Sequence, residues 1–474
     1  MFSRLRSILG RNVSTMASAR KPPTEPLVVV LGSTGTGKSE LAVELATRLN
    51  GEVINADAMQ LYNGLPIITN KITPAEQRGV PHHLLGHISL DETPWDVDDF
   101  RREANRVIRD IRSRGRLPIL VGGSQYYVDP LLFKEVILDD MEMGTSTSFP
   151  ILQESGEVML HELRKVDPVM ADRWHPNDRR KIQRSLEIYL RTGKRASDYY
   201  AEQQARKEAA QQDPTDQEPW ENLLFWVYSE REVLRTRLDN RVDKMVDGGL
   251  LPEVRELFEF KRQKDAAGQI LDMTKGIWQS IGYKQFESYM TAVDEGKEQA
   301  ETDRLKTAAL EEMKTATRRY AVYQTRWIRL KQIPRLRDVG PDAINSLYLL
   351  DSTDVTSYKD NVVEPAVKLA TQFLQGEARA PPADLSPLAH EVLTQVSNPP
   401  PKATPCKRMC EVCHTVLMTE EAWEKHHKSA THRRVVRKKK RTSLVPVENT
   451  AEAEEAEDSG GDKSSPDISS MFSE

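Results

Sequence analysis

Residues 27–31 read Leu-Val-Val-Val-Leu, an unbroken apolar, β-branched run of strand length. Such a run predicts a strand covered on both faces, as in a parallel sheet. Leu41, Leu45 and Leu49 then recur four apart, which predicts an amphipathic helix. Residues 51–55 predict a short second strand ending near Asn55, and residues 117–121 a later one. In 178–190 the stripe Ile182, Leu186 and Leu190 predicts a helix, and in 233–245 Leu234, Leu238, Val242 and Met245 do the same. A last strand at 347–350 and a helix follow within 345–375. Strands alternating with helices imply an α/β fold with a parallel sheet. Residues 136–221 interrupt that alternation and read as mostly helical, an insertion domain with a polar Gln/Ala/Glu stretch at 202–213.

The first strand feeds Gly32-Ser33-Thr34-Gly35-Thr36-Gly37-Lys38-Ser39, a G-x-x-x-x-G-K-S loop that opens the helix. Glycines let such a backbone curl so that its N–H groups point at phosphate oxygens. Lys38 adds a positive charge, and the Ser39 hydroxyl is placed to ligate Mg²⁺. A nucleotide hydrolase also needs a carboxylate at the end of a later apolar strand. Here 117–121 ends in Gly122-Gly123-Ser124, with no acid. The loop is therefore expected to hold a phosphorylated compound whose pyrophosphate leaves as a unit. Asp57, just past the second strand, would face the same crevice. From the residues alone it reads as a Mg²⁺ organiser, a general base or a plain loop aspartate.

The chain has 474 residues, room for two or three domains, yet only 38% are hydrophobic, so long polar segments are expected outside the core. A net charge of −5 confines nucleic-acid binding to local basic patches. No run approaches 18 apolar residues, so no membrane span is expected. The only cysteines, Cys406, Cys410 and Cys413, exclude a disulfide scaffold. Cys410 and Cys413, followed by His426 and His432, have the spacing of a C2H2 zinc finger, with His427 as an alternative ligand. Trp423 would supply a small core, and Cys406 is left over. A basic run, 433–441, follows and reads as RNA-binding or as a nuclear localisation signal. A docking surface for protein is the competing reading of the finger.

Several motifs occur in a telling order: the loop at 32–39, Asp57-Ala58-Met59-Gln60, Pro81-His82-His83-Leu84-Leu85, and Val121-Gly122-Gly123-Ser124. Then come Asp167-Pro168, 175–180 with 185–189, and Gln279-Ser280-Ile281-Gly282-Tyr283. Over about residues 27–330 the chain resembles the tRNA dimethylallyltransferase family, and the finger points to its eukaryotic branch. The resemblance implies a P-loop NTPase-like core with a helical insertion and a small zinc finger. It implies transfer of dimethylallyl from dimethylallyl diphosphate to N6 of adenosine 37, beside the tRNA anticodon. Asp57 then matches the base. Thr34, Lys38 and Arg241 match residues at the diphosphate, with Ser39 on Mg²⁺. Ala58, Met59, Gln60 and Ser124 match contacts near the target base, and Arg180, Lys181, Ile182, Gln183 and Arg184 match a tRNA-contacting segment. Without the resemblance, Arg237 and Arg241 read as a solvated basic edge. The cluster Arg179 to Arg184 sits at a helix N-terminus, where cations are poorly placed, and a phosphate partner would explain it. His82, His83 and His87 lack ligand partners at metal spacing and read as core or loop residues.

Two departures stand out. The family's Ser-Asp-Ser around the base is Ala56-Asp57-Ala58, which loses hydroxyls that would orient the carboxylate. Near the end of the core, Val322 and Tyr323 replace two positive charges of the family's Ala-Lys-Arg-Gln. Competing functions are an adenylate dimethylallyltransferase acting on free AMP or ATP, and a P-loop RNA-binding protein without catalysis. The expected organisation is a targeting presequence (1–24), a split catalytic core (25–135 and 222–335), the tRNA-binding insertion (136–221) and a C-terminal strand and helix (336–375). A Pro-rich linker (376–404), the finger with its basic run (405–441) and a disordered acidic tail (442–474) complete it. The first 24 residues hold Arg4, Arg6, Arg11, Arg20 and Lys21 and no acid, a mitochondrial composition, and Met16 offers a second start. A monomer is expected, distributed between mitochondrion and cytoplasm with a nuclear fraction.

Overall fold

The computed structural model describes residues 21–133, 149–202, 205, 220–269, 271–397 and 404–443. The expected presequence and acidic tail lie almost wholly outside them. The chain divides into two compact units, one built on residues 1–135 and 220–398, the other on 136–219 and 399–464.

The first unit is organised by six strands: β1 (Leu27–Gly32), β2 (Gly51–Asn55), β3 (His82–His83), β4 (Leu117–Val121), β5 (Asn222–Tyr228) and β6 (Leu347–Asp351). They form one parallel sheet in the order β3-β2-β4-β1-β5-β6. Every residue of β1, β2 and β4 is buried, which is why their apolar runs show no alternation. The sheet reverses direction of growth at β1, which pairs with β4 on one side and β5 on the other. The register aligns Val30 with Val121 and Asn55 with Val121, so the loops leaving β1, β2 and β4 open onto one crevice.

Helices α1 (Lys38–Arg48), α2 (Val97–Ser113) and α3 (Gln125–Leu132) cover this half of the sheet. Leu41 and Leu45 of α1 pack with Val28 and Val30 in the core, each such leucine contributing about 1.5–3 kcal/mol on burial. Asp96 and Asp99 cap α2 reciprocally. His83 lies on the sheet edge with Nε2 2.6 Å from buried Glu52, and His82 Nδ1 is 2.8 Å from the Val80 carbonyl. Neither belongs to a metal cluster among the described residues. The chain then enters the insertion, α4 (Gly156–Val166), α5 (Pro168–Arg173) and α6 (Arg179–Thr192). It returns through β5 to α7 (Arg231–Asp247), α8 (Leu250–Ala266), α9 (Tyr283–Asp294) and the long α10 (Gln299–Trp327). Leu234, Leu238 and Val242 of α7 are buried, whereas Met245 lines the cleft described below. A π-turn, Ile328–Gln332, ends α10. Buried Asp129 of α3 fastens it, accepting from Trp327 Nε1, Gln332 Nε2 and Arg335 Nη1 at 2.9–3.1 Å.

Helix α11 (Glu364–Gln375) closes the sheet, and α12 (Pro387–Ser397) follows it. That last helix corrects the expected linker over 376–404. Ala389 and Val392 are buried, the Tyr348 hydroxyl donates to the Ala380 carbonyl, and Arg337 to that of Val396. Pro382 and Pro387 start helical turns, where a missing N–H costs nothing, and 398–403 lie outside the described residues.

In the second unit, α4–α6 enclose a core of Met159, Leu163, Met170, Ile182 and Leu186. Two short strands, β7 (Pro405–Met409) and β8 (Val416–Thr419), with α13 (Glu420–Lys428) and α14 (Ala430–Ser443), make the finger. The finger is seated on the insertion. Lys407 Nζ donates to the Ala171 and Asp172 carbonyls at 3.1 and 3.4 Å, and His175 Nε2 lies 3.2 Å from the Val416 carbonyl. Among the described residues no helix is long and apolar enough to cross a membrane.

Candidate active site

The crevice at the ends of β1, β2 and β4 contains a cleft of about 340 Å³. The phosphate-type loop forms one wall. Lys38 arches back over it and donates from Nζ to the Ser33 carbonyl at 2.7 Å. Burial, opposed by the Asp57 charge and assisted by that of Arg241, lowers the Lys38 pKa to about 8. Thr34, Ser39 and Arg241 line the same cleft. Ser33 and Thr36 have buried side chains, and the Thr36 hydroxyl donates to the Ser33 carbonyl, so they serve the loop through its backbone.

Asp57 stands across the cleft. Asn55, the last residue of β2, holds its backbone from both sides: Oδ1 accepts from Asp57 N and Nδ2 donates to the Asp57 carbonyl, both at 3.1 Å. The carboxylate accepts from Met59 N at 3.0 Å. Burial pushes its pKa up, against the pull of the Met59 amide and the Lys38 charge. The hydroxyls lost at Ala56 and Ala58 are thus replaced by backbone N–H groups as orienters of the carboxylate. Gln60 and Met59 line the cleft, and Gln60 Nε2 donates to the Asn70 carbonyl at 3.0 Å. Ser124 is buried, its Oγ accepting from Ala58 N at 3.1 Å. It braces the Asp57 loop and does not line the cleft.

Residues in α10 that carried no assigned role complete the wall. Gln324 is 1% exposed; its Oε1 accepts from Thr34 N at 2.8 Å and its Nε2 donates to the Gly123 carbonyl at 3.1 Å. A Cβ at Gly123 would meet Gln324 Nε2 at 2.1 Å, so a side chain there would push the Gln324 amide off its bonds to the two loops. The Tyr320 hydroxyl bonds to Ser124 and to Gln324. The only signal in the sequence was that Gln324 is the glutamine of the family's Ala-Lys-Arg-Gln segment. Replacing Gln324 with alanine orphans Thr34 N and the Gly123 carbonyl, an expected loss of about 1–3 kcal/mol in urea unfolding. A stability within error of wild type would show that the two loops are held by something else.

The insertion places Arg180, Lys181, Gln183 and Arg184 on α6. Ile182 is fully buried in the insertion core, as its place in the apolar stripe predicts, which leaves its backbone as the part that could meet RNA. The argument from unfavourably placed cations is corrected. Arg179 donates to the Leu152 and Glu154 carbonyls, Lys181 pairs with Asp178 at 2.6 Å and Arg184 with Glu187 at 3.3 Å. Folding therefore supplies partners for these charges, though such exposed pairs contribute only about 0–1 kcal/mol.

In the finger, Cys410, Cys413, His426 and His432 converge, all four ligand atoms lying within 4.8 Å of one another. Cys413 Sγ is 3.0 Å from His426 Nε2 and 3.8 Å from His432 Nδ1, and Cys410 Sγ is 3.7 Å from His432 Nδ1. Two thiolates and two imidazoles converging on one point are a tetrahedral Zn²⁺ donor set, so the residues fit zinc. His427 is not in it; its ring packs against Trp423 at 4.6 Å.

Residues 60–331 match the family model described as IPP transferase. The chain belongs to the IPP transferase family. Membership makes it a prenyltransferase. It is 37% identical over 435 residues to a tRNA dimethylallyltransferase of Schizosaccharomyces pombe, covering 88% of this chain and 96% of the relative. The human tRNA dimethylallyltransferase is 34% identical over 465 residues, with 93% and 94% covered. A solved structure of a eukaryotic dimethylallyltransferase acting on tRNA superposes with a TM-score of 0.74 at 32% identity, covering 89% of this chain and 98% of that one.

Proposed function

We propose that this cleft transfers the dimethylallyl group of dimethylallyl diphosphate to N6 of adenosine 37 in the tRNA anticodon loop. The observation that carries the reading is a half-buried carboxylate, Asp57, facing a phosphate loop across a cleft where the strand β4 ends in Gly122-Gly123 and supplies no carboxylate. The N6 amine is a weak nucleophile, its lone pair delocalised into the ring. As its bond to the allylic carbon forms, the C–O bond to diphosphate breaks and Asp57 takes the N6 proton. Thr34, the loop N–H groups, Lys38 and Arg241 meet the negative charge that gathers on the leaving diphosphate. Ser39 lines the cleft at the start of α1, where a hydroxyl fits Mg²⁺ shared with a diphosphate. When bound, that ion would supply further charge neutralisation. Adenosine must leave the anticodon stack to reach Asp57. Arg180, Lys181 and Arg184, with the basic end of the finger, would supply cations for the tRNA backbone.

The test incubates purified chain, dimethylallyl diphosphate and Mg²⁺ with total tRNA or with AMP, followed by nucleoside mass spectrometry. Prenylated adenosine from tRNA alone is expected. Product from AMP would transfer the reading to a free nucleotide acceptor, and no product from either would leave a binding protein.

A further inference from the structure

The segment after β6 has no role in the chemistry above, yet it reaches the back of the phosphate loop. Arg237 of α7 donates from Nη1 to the Gly35 carbonyl at 3.2 Å and from Nη2 to the Ser352 and Thr353 carbonyls, both at 3.0 Å. Tyr358 is 6% exposed, and its hydroxyl donates to the Gly37 carbonyl at 2.8 Å. Its ring lies directly over Gly37, which has φ 92°; a Cβ there would meet the ring at 2.7–2.9 Å. The turn itself is tied down. Ser352 N and Oγ both donate to the Tyr228 carbonyl at the end of β5, and Thr353 Oγ1 accepts from Glu230 N at the start of α7.

The direction of these bonds matters. In a trans peptide the carbonyl and the following N–H point opposite ways. The Gly35 carbonyl is pinned by Arg237, and the Gly37 carbonyl, which also accepts from Leu41 N at 3.1 Å in the first turn of α1, by Tyr358; Thr36 N–H and Lys38 N–H are thereby turned toward the cleft side of the loop. The same turn sets the start of α7, the helix that carries Arg241. We propose that the 352–358 turn and Arg237 form a buttress that holds the loop in its diphosphate-binding conformation, with Arg237 and Tyr358 as positioning residues for the donor. This rests on the reading of the cleft as a diphosphate site. It gives the C-terminal strand and helix a task in catalysis, and it separates the two arginines of α7: Arg241 faces the cleft, whereas Arg237 holds the loop from behind.

The experiment compares full-length wild type with Tyr358→Phe, Arg237→Met and Arg237→Lys. It measures affinity for inorganic pyrophosphate by calorimetry and steady-state kinetics with each substrate varied. Loss of the guanidinium should weaken pyrophosphate binding and raise the donor KM about tenfold, and loss of the phenol hydroxyl should do so several-fold. At saturating donor, kcat should stay within about twofold and the tRNA KM should not move. Arg237→Lys should recover part of the loss, because an ammonium can still reach the Gly35 carbonyl but not both sides of the fork. Unchanged pyrophosphate affinity in both Tyr358→Phe and Arg237→Met overturns the buttress. So does a fall in kcat with donor KM untouched, the pattern of a merely structural role. If wild type binds pyrophosphate with this variant pattern yet prenylates nothing, the buttress stands and the functional reading fails.

Discussion

Asp57→Asn should lower kcat by about 10²–10⁴-fold, the range for loss of a positioned general base, while leaving the donor bound. The amide is isosteric and can keep the bond from Met59 N. It also removes a negative charge that faces Lys38 and Arg241 across the cleft, so donor affinity should hold or improve. The pH profile gives a second readout. Burial raises the Asp57 pKa in the folded chain, and the reaction needs its ionised form. As pH falls through that raised pKa, kcat/KM should drop, with an inflection above the ordinary carboxylate range. The limb should disappear in Asp57→Asn. Retention of wild-type turnover, or of the acidic limb, in the variant would sink the assignment.

The second large effect concerns zinc. Among the described residues of the finger only Cys410 and His432 are buried, so the module has almost no apolar core. A metal contributing on the order of 10–16 kcal/mol would then be what folds it. Chelation, Cys410→Ser or His426→Ala should bring the amides of 404–443 to unfolded exchange rates. His427→Ala should not, because that ring packs on Trp423 outside the ligand set. The strands of the catalytic unit should keep their protection. Loss of the contacts from Lys407 and Val416 to the insertion should loosen 168–175. We expect the tRNA KM to rise about tenfold, as cations of the basic run lose their placement, with kcat at saturating tRNA little changed. A finger that stays protected without metal, or a His427→Ala variant that loses it, would refute this account.

Much of this protein was decided by its sequence alone. The unbroken runs at 27–31 and 117–121 specify strands buried on both faces, because only a parallel sheet covered by helices hides every residue of such a run. The loop at 32–39 and the spacing of Cys410, Cys413, His426 and His432 carry their chemistry locally, since the ligating groups are close in sequence. The place of Asp57 in the crevice was legible too, since it stands two residues past a strand end.

The tertiary structure alone decided what holds these groups. Gln324 meets the phosphate loop across 290 residues of chain and Tyr358 meets it across 321, and no periodicity encodes such a meeting. Local pattern also misled where two readings share one composition. A proline-rich stretch serves equally as a linker or as the capped start of α12, and the buried faces at Ala389 and Val392 settle which. Cations crowded at the start of α6 look unpartnered until folding brings the carbonyls of Leu152 and Glu154 to Arg179. Short-range patterns determined which chemical groups the chain owns. Long-range packing of α10, β6 and the turn after it determined where those groups point, because hydrogen-bond geometry is fixed only once distant segments meet.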